Sequence, residues 1–173
     1  GRRLESMSIR LLDIMVAKHG TPEFLQVPAE NLFLYVKEMF KTNEEMDFEY
    51  RYDADTIFVE SDLIITVLIN LLDNACKASE PGSRIEVLGK KEQEGYRFTV
   101  KDEGVGIAPE EVKKITKAFY MVDKSRSRSR NGAGLGLALC AEILALHESR
   151  LEIDSTPGKG TAMSFLIRKG GEA

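Results

Sequence analysis

Leu4, Met7, Leu11 and Ile14 recur at spacings of three and four, and Leu12, Met15 and Val16 widen this stripe into an apolar helix face over residues 3–18. Such a face needs a partner. His19-Gly20-Thr21-Pro22 ends it, because glycine favours a left-handed cap and proline cannot continue the helical ladder. A domain boundary is expected there, with residues 1–20 as helix and linker and residues 21–173 as one domain. Residues 24–27 read as a short strand, and residues 29–41 as a helix with Pro28 at its first position. Phe48, Tyr50 and Tyr52 then alternate with charged residues, and residues 57–59 follow a turn at Asp53-Ala54-Asp55, which predicts a hairpin. Ser61 or Asp62 caps a helix that runs to about residue 79 and stops before Pro81-Gly82. Residues 85–88 and 96–100 form an antiparallel pair across a polar turn at Gly95, and residues 109–118 a short helix. Almost nothing is apolar from 123 to 134, so a mobile loop is expected. Residues 135–147 are apolar on nearly every side and predict a buried helix, and 151–153 with 162–167 a terminal hairpin. Strands drawn from distant parts of the chain, with helices in groups between them, predict a two-layer α+β sandwich whose mixed, mostly antiparallel sheet carries helices on one face.

Composition narrows the function classes. The 173 residues are 43% hydrophobic and 30% charged, enough apolar material for one sizeable core. A formal charge of -4 argues against nonspecific attraction to nucleic acid or an anionic membrane, so no partner of either kind is expected. No apolar run reaches the ~18 residues that span a bilayer, and the N-terminus lacks the order of a signal peptide; a soluble, cytoplasmic fragment is expected. Gly1 in place of Met reads as a fragment or processed product, so the parent is open to membrane anchoring by upstream segments. Cys76 and Cys140 lie in apolar helical patterns without metal-ligand spacing and read as small buried thiols of a reducing compartment. His19 and His147 end helices, where a partial positive charge suits the dipole.

The chemistry concentrates in three places. Within the apolar 62–79 helix, Asn70, Asn74 and Lys77 fall in a stripe about 60° wide at about 100° per residue. Buried amides and an ammonium are costly unpaired, so the stripe meets solvent, protein partners or a polar ligand. A carboxamide oxygen suits Mg²⁺, and Lys77 suits a phosphate; a solvent-exposed edge of a half-buried helix satisfies the pattern equally. Asp102 stands where a strand gives way to a loop bearing Gly104 and Gly106, which is either a ligand-reading carboxylate or a capped tight turn. Gly132, Gly134 and Gly136 open the buried helix, as a phosphate cradle at a helix N-terminus or as a hinge. The spacing is neither the dinucleotide fingerprint, since position 137 is Leu, nor a P-loop, since Gly158-Lys159 is followed by Gly160. Lys124, Arg126, Arg128 and Arg130 precede the glycines and read as a solvated lid over phosphate.

Taken in order, these blocks resemble the catalytic ATP-binding domain of bacterial sensor histidine kinases, in the superfamily with gyrase, the heat-shock chaperone ATPase and the mismatch-repair ATPase. Asn70-Leu-Leu-Asp-Asn74-Ala-Cys-Lys77 resembles the N box, and Asp102-Glu-Gly104-Val-Gly106 the first glycine box. Phe119-Tyr120 and the basic stretch resemble the F box and lid, Gly132 to Leu137 the second glycine box, and Thr156-Pro-Gly158-Lys-Gly160-Thr161 the third. The resemblance implies a Bergerat-type ATP-binding fold, ATP and Mg²⁺ as ligands, and metal ligation by Asn74 and Asn70. It implies catalytic roles for Asn70 and Lys77. Nucleotide contacts are implied for Asn70, Asn74, Lys77, Asp102, Gly104, Gly106, Ile107, Tyr120, Lys124, Arg126, Gly132, Gly134, Leu135, Gly136, Leu137 and Thr161.

ATP-hydrolysing relatives generally carry Glu at the position of Asn70, where it activates water; its absence favours phosphoryl transfer to an imidazole, which needs no such base. A hydrolysing domain and a degenerate nucleotide-binding module are the alternatives. The family's acceptor histidine sits in a His-Glu block of a dimerising hairpin, and neither His19 nor His147 stands in that context. Residues 1–20 resemble instead the end of the hairpin's second helix and the linker, which implies a parent homodimer whose own dimerisation domain accepts the phosphoryl group and a response-regulator receiver domain as partner.

Overall fold

The computed structural model describes residues 20–120 and 133–169. Its elements run β1 (Leu25–Pro28), α1 (Ala29–Phe40), β2 (Asp47–Tyr52), β3 (Thr56–Val59), α2 (Ser61–Ala78), β4 (Arg84–Glu92), β5 (Gly95–Asp102), α3 (Pro109–Tyr120), α4 (Ala133–Leu146), β6 (Glu152–Thr156) and β7 (Gly160–Arg168). The interface helix expected over residues 3–18, His19, and the basic loop with Lys124, Arg126 and Gly132 lie outside the described residues.

Five strands form a sheet in the order β2-β4-β5-β7-β6, and β1 and β3 form a separate two-stranded ribbon. Only the β2–β4 pair is parallel; the other pairs of the sheet are antiparallel. The expected sandwich is therefore present. Period-2 alternation sorts the sheet's faces. Ile85 and Val87 on β4, Tyr96, Phe98 and Val100 on β5, and Met163, Phe165 and Ile167 on β7 are buried. Between them Glu86, Arg97 and Ser164 belong to a polar outer face, where Arg97 pairs with Glu92 at 2.8 Å and Arg51 with Glu86 at 3.0 Å. The buried side chains pack in one cluster with Leu32, Phe33 and Val36 of α1, Ile64, Leu68, Leu71 and Leu72 of α2, and Cys140, Ile143 and Leu144 of α4. α4 is buried around most of its circumference, as its apolar run predicts.

The hairpin expected around Asp53-Ala54-Asp55 is not formed. β2 pairs with β4 and β3 with β1, so the two strands separate. The reason lies at Asp53, whose N–H donates to the Gly89 carbonyl at 2.9 Å and whose own carbonyl accepts from the Tyr96 hydroxyl at 2.6 Å. Its carboxylate also accepts from the Lys91 N–H at 2.8 Å. These bonds extend β2 along β4 instead of reversing it. Two helix starts also differ from expectation. Pro28 is the N-cap of α1 and ends β1, and Glu60, not Ser61 or Asp62, caps α2 by accepting from the Leu63 N–H at 3.1 Å. Asp62 falls instead in the first turn, where negative charge suits the dipole.

Candidate functional site

The inward rows of β5 and β7 end in polar residues. Asp102 continues the series Tyr96, Phe98, Val100, and in register with it Thr161 begins the series Met163, Phe165, Ile167. Both are buried, at 6% and 7% exposure, so the alternation that buries aromatics at one end places a carboxylate and a hydroxyl inside at the other. One Asp102 oxygen accepts from the Gly104 N–H at 2.8 Å, and the carboxylate also takes a hydrogen bond from the Thr161 backbone. Burial raises the carboxyl pKa above the ordinary aspartate value, and the two amide bonds offset part of that rise.

The loop after β5 is held from two sides. The Val105 N–H donates to the Ala78 carbonyl at the end of α2, at 3.2 Å, and the Val105 carbonyl accepts from Gly158 at 2.8 Å. Gly106 has φ +75, and a Cβ there would come within 2.1 Å of the Thr156 carbonyl oxygen, so only glycine permits this approach. The Ile107 N–H donates to the Ser155 hydroxyl at 2.7 Å, and Ser155 in turn meets the Gly160 carbonyl at 3.1 Å and the Thr161 hydroxyl at 2.8 Å. Ser155 thus ties the loop to the β6–β7 hairpin.

These elements enclose a cavity of about 370 Å³, lined by Leu71, Asn74, Ala75, Lys77 and Ala78 of α2, Val100 and Asp102 of β5, Val105, Gly106 and Ile107 of the loop, Ile115 of α3, Leu137 of α4, and Thr161 and Met163 of β7. Most of that lining is apolar. Such a volume, with a few convergent polar groups, matches a small-molecule site rather than a packing defect. Among the described residues no cluster of three His, Cys, Asp or Glu stands ready to hold a metal. The donor set, a carboxamide at Asn74 beside the Lys77 ammonium, fits a cation that arrives with its own oxygen ligands, as Mg²⁺ does with a polyphosphate.

Of the residues singled out in the sequence, Asn74, Lys77, Asp102, Gly106, Ile107, Leu137 and Thr161 come together on this cavity. Asn70 does not line it. Its Nδ2 donates to the Thr66 carbonyl at 2.9 Å, and its Oδ1 lies where a Cβ on Gly136 would come within 2.8 Å, so the missing side chain at 136 lets α4 close against α2. Gly104 acts through its N–H on Asp102. Gly134, Leu135 and Tyr120 belong to α4 and α3 without described side-chain surroundings. Sequence reasoning missed the apolar walls Val100, Ile115 and Met163, although Val100 and Met163 share the period-2 rows of Asp102 and Thr161. It also missed Ser155, for which no local signal existed.

Both thiols are free; Cys140 is fully buried, with its pKa pushed up to about 12 by burial, and Cys76 is half-buried. His147 stands at the end of α4 and caps the Ile143 carbonyl, as expected, but as a neutral ring and not a charged one. Its Nε2 accepts from the Glu60 N–H at 3.2 Å and its Nδ1 pairs with the Ile143 carbonyl at 2.9 Å, so the ring is neutral, and burial lowers its pKa.

Among known proteins, the Adaptive-response sensory kinase SasA of Thermosynechococcus vestitus is 31% identical over 176 residues, covering 94% of this chain and 45% of the relative. The Phosphate regulon sensor protein PhoR of Haemophilus influenzae is 39% identical over 113 residues, covering 65% and 27%. The chain thus spans less than half the length of these relatives. The solved catalytic domain of the histidine kinase ThkA superposes with a TM-score of 0.71 at 26% identity, covering 85% of this chain and 98% of that one. Residues 59–171, which contain α2, the Asp102 loop and the β6–β7 hairpin, match the family model described as histidine kinase-, DNA gyrase B- and HSP90-like ATPase, and the chain belongs to that family.

Proposed function

We propose that this chain binds ATP with Mg²⁺ in the cavity between α2, the Asp102 loop and α4, and that within its parent protein it donates the γ-phosphoryl group to a histidine of a dimerisation domain in two-component signalling. The observation that carries the reading is a buried carboxylate, Asp102, in an apolar cavity whose polar remainder includes Asn74 and Lys77.

The apolar walls from Val100, Ile107, Leu137 and Met163 accept a flat heterocycle and exclude water from it. Asp102, held by the Gly104 and Thr161 amides, accepts from an exocyclic amine and so selects adenine. Asn74 presents a neutral oxygen to the cation, and Lys77, exposed at the helix end, pairs with phosphate. When bound, Mg²⁺ neutralises phosphate charge during transfer. Asn70 holds a carboxamide in place of a general base. The proposed nucleotide contacts from Gly104, Gly106 and Thr161 lie beside Asp102 at the base, and those from Tyr120, Lys124, Arg126, Gly132, Gly134, Leu135 and Gly136 extend the site beyond it, with the basic residues and the glycine backbone toward the phosphates. Relatives named as sensory and sensor kinases support the phosphotransfer reading, with a homodimeric parent and a response-regulator receiver domain as partners. No helix among the described residues is long and apolar enough to cross a membrane.

Calorimetry with Mg²⁺ and a non-hydrolysable ATP analogue tests the site. Saturable heat is expected, and Asn74→Ala should abolish its dependence on Mg²⁺; absence of heat from folded protein refutes the assignment. Steady phosphate release by the isolated chain would favour a hydrolase instead.

A further inference from the structure

One residue, Glu60, ties the first turn of α2 to the end of α4 and to the segment that enters the domain. Its backbone N–H donates to His147 Nε2 at 3.2 Å, its Oε1 accepts from the Leu63 N–H at 3.1 Å, and its Oε2 accepts from the Glu23 N–H at 3.4 Å. Both ring nitrogens of His147 are committed, since Nδ1 meets the Ile143 carbonyl at 2.9 Å and must carry the proton there. The Phe24 ring covers the imidazole at 4.8 Å between centroids and lies 5.7 Å from Phe58, so the imidazole is held between α4 and the entering chain. None of these groups lines the proposed nucleotide cavity, and the stretch of α2 from Glu60 to Leu71 puts about 16 Å of helix between the two places.

This arrangement has a second state that a proton selects. A proton can enter the ring only at Nε2, where it turns the acceptor of the Glu60 N–H into a donor facing another donor. Around the ring, α4 contributes the Ile143 carbonyl, the entering chain the Phe24 ring, and the turn before α2 the Glu60 carboxylate; the flanking charged residues Glu23, Asp62, Glu148 and Arg150 are exposed. Glu60 is thus the charge that acts on the ring, and in a half-buried setting it attracts an imidazolium more strongly than it attracts an amide dipole. Giving up the cap leaves no orphan, because the Leu63 N–H also reaches the Glu60 carbonyl at 3.1 Å. Burial lowers the ring's pKa, and the Ile143 carbonyl and Glu60 offset part of that fall. The stability that the neutral ring lends is therefore complete above the unfolded imidazole value and is lost as pH falls toward the lower folded one.

We propose that His147 is an acid-operated latch: protonation at Nε2 draws the Glu60 carboxylate from the Leu63 and Glu23 amides onto the imidazolium, which uncaps α2 and releases the chain where it enters the domain. The proton comes from solvent, no covalent bond changes, and raising the pH restores the cap. The latch is independent of the nucleotide reading, and loss of one leaves the other standing.

Nuclear magnetic resonance of the full chain, titrated downward from about pH 7.5 until the chain unfolds, tests it. The His147 ring is expected to titrate below the ordinary imidazole range, and the amide signals of Glu60, Leu63 and Glu23 should move with the same midpoint while that of Phe98 stays fixed. His147→Gln keeps an acceptor for the Glu60 N–H but takes no proton, so the three amides should lose their step while His19, the other histidine of the chain, still titrates. Glu60→Gln leaves the ring in place and removes the charge that draws the proton, and should lower the His147 midpoint further; it decides the matter even where the first variant fails to fold. A His147 titration that leaves the three amides unmoved, a step that persists in His147→Gln, or a midpoint indifferent to Glu60→Gln overturns the proposal. So does a ring that stays neutral until the whole chain unfolds.

Discussion

The two ends of one buried strand face are filled in opposite ways. At one end of β5, Phe98 lies between Phe33 and Phe165 with ring centroids at 5.3 and 5.1 Å, and Phe33 stacks on Tyr52 at 4.4 Å. Gly89 on β4 makes this closure possible, since a Cβ there would sit 2.3 Å from the Tyr96 hydroxyl and 2.6 Å from the Phe33 ring. At the other end the same alternation delivers Val100 and Asp102, opposite Met163 and Thr161, and leaves about 370 Å³ open. The strand, its face and its hydrogen-bond ladder continue unchanged; only side-chain volume and polarity differ. If the open end is the proposed nucleotide site, stability and ligand binding occupy separate stretches of one strand, and substitutions should separate them.

The largest effect is expected at the filled end. Phe98→Ala removes a fully buried ring from the aromatic stack and should cost about 3–5 kcal/mol. Against the roughly 5–15 kcal/mol that holds a domain together, this is a large share. Urea unfolding followed by circular dichroism reads it as a lowered midpoint with unchanged slope. A loss below about 1 kcal/mol would mean that the stack contributes no more than an exposed side chain does.

At the open end the sign of the stability effect reverses. Burial, the larger influence on Asp102, disfavours its charged form, so the folded state binds a proton more readily than the unfolded chain does. Stability from this group is then greatest below the unfolded aspartate pKa and is lost as pH rises through the raised folded value. Asp102→Asn should leave Tm at neutral pH no lower than the parent's, and any gain should shrink as pH falls and the parent's carboxyl is protonated. Affinity moves the other way. Losing a hydrogen bond to a charged acceptor costs about 1.5–3 kcal/mol, so the variant should bind the ATP analogue about 10- to 100-fold more weakly. In the parent, affinity should fall on acidification through the same raised pKa, whereas the Asn variant should show no such step. Calorimetry across pH, paired with thermal scans, checks both directions, and a parallel fall in stability and affinity would contradict the separation.

How far this contrast was readable in the sequence depends on the range of the interactions. The Asn74 and Lys77 stripe, the Asp102 turn and the buried α4 follow from periods of 3.6 and 2, which one segment expresses by itself. The fate of β2 does not. Asp53-Ala54-Asp55 has the composition of a hairpin turn, and the extension of β2 along β4 at Asp53 depends on Tyr96 and Gly89, tens of residues away. His147 is similar: its neutral form follows from the Glu60 N–H, 87 residues distant. Asn70 was legible as part of the stripe but not in its orientation, because Gly136 decides how closely α4 approaches. The helix expected at residues 3–18 and the loop expected around Lys124 and Arg126 rest on the sequence alone, since the described residues do not reach them.

The smallest effect sharpens the contrast most, because it tests whether the open end is shaped by anything besides its lining. Ser155 does not line the cavity, yet its hydroxyl accepts from the Ile107 N–H and joins the Gly160 carbonyl and the Thr161 hydroxyl. Ser155→Ala leaves the Ile107 amide without this partner and should cost about 1 kcal/mol of stability. Analogue binding should also weaken, by up to about fivefold, if the released loop must be re-ordered when the nucleotide enters. A purely structural role predicts the stability loss with unchanged affinity, so the two measurements together decide. Ser155→Thr retains the hydroxyl and should recover affinity, whereas a threonine variant as weak as the alanine one would show that side-chain volume, and not the hydrogen bond to Ile107, is what positions the loop.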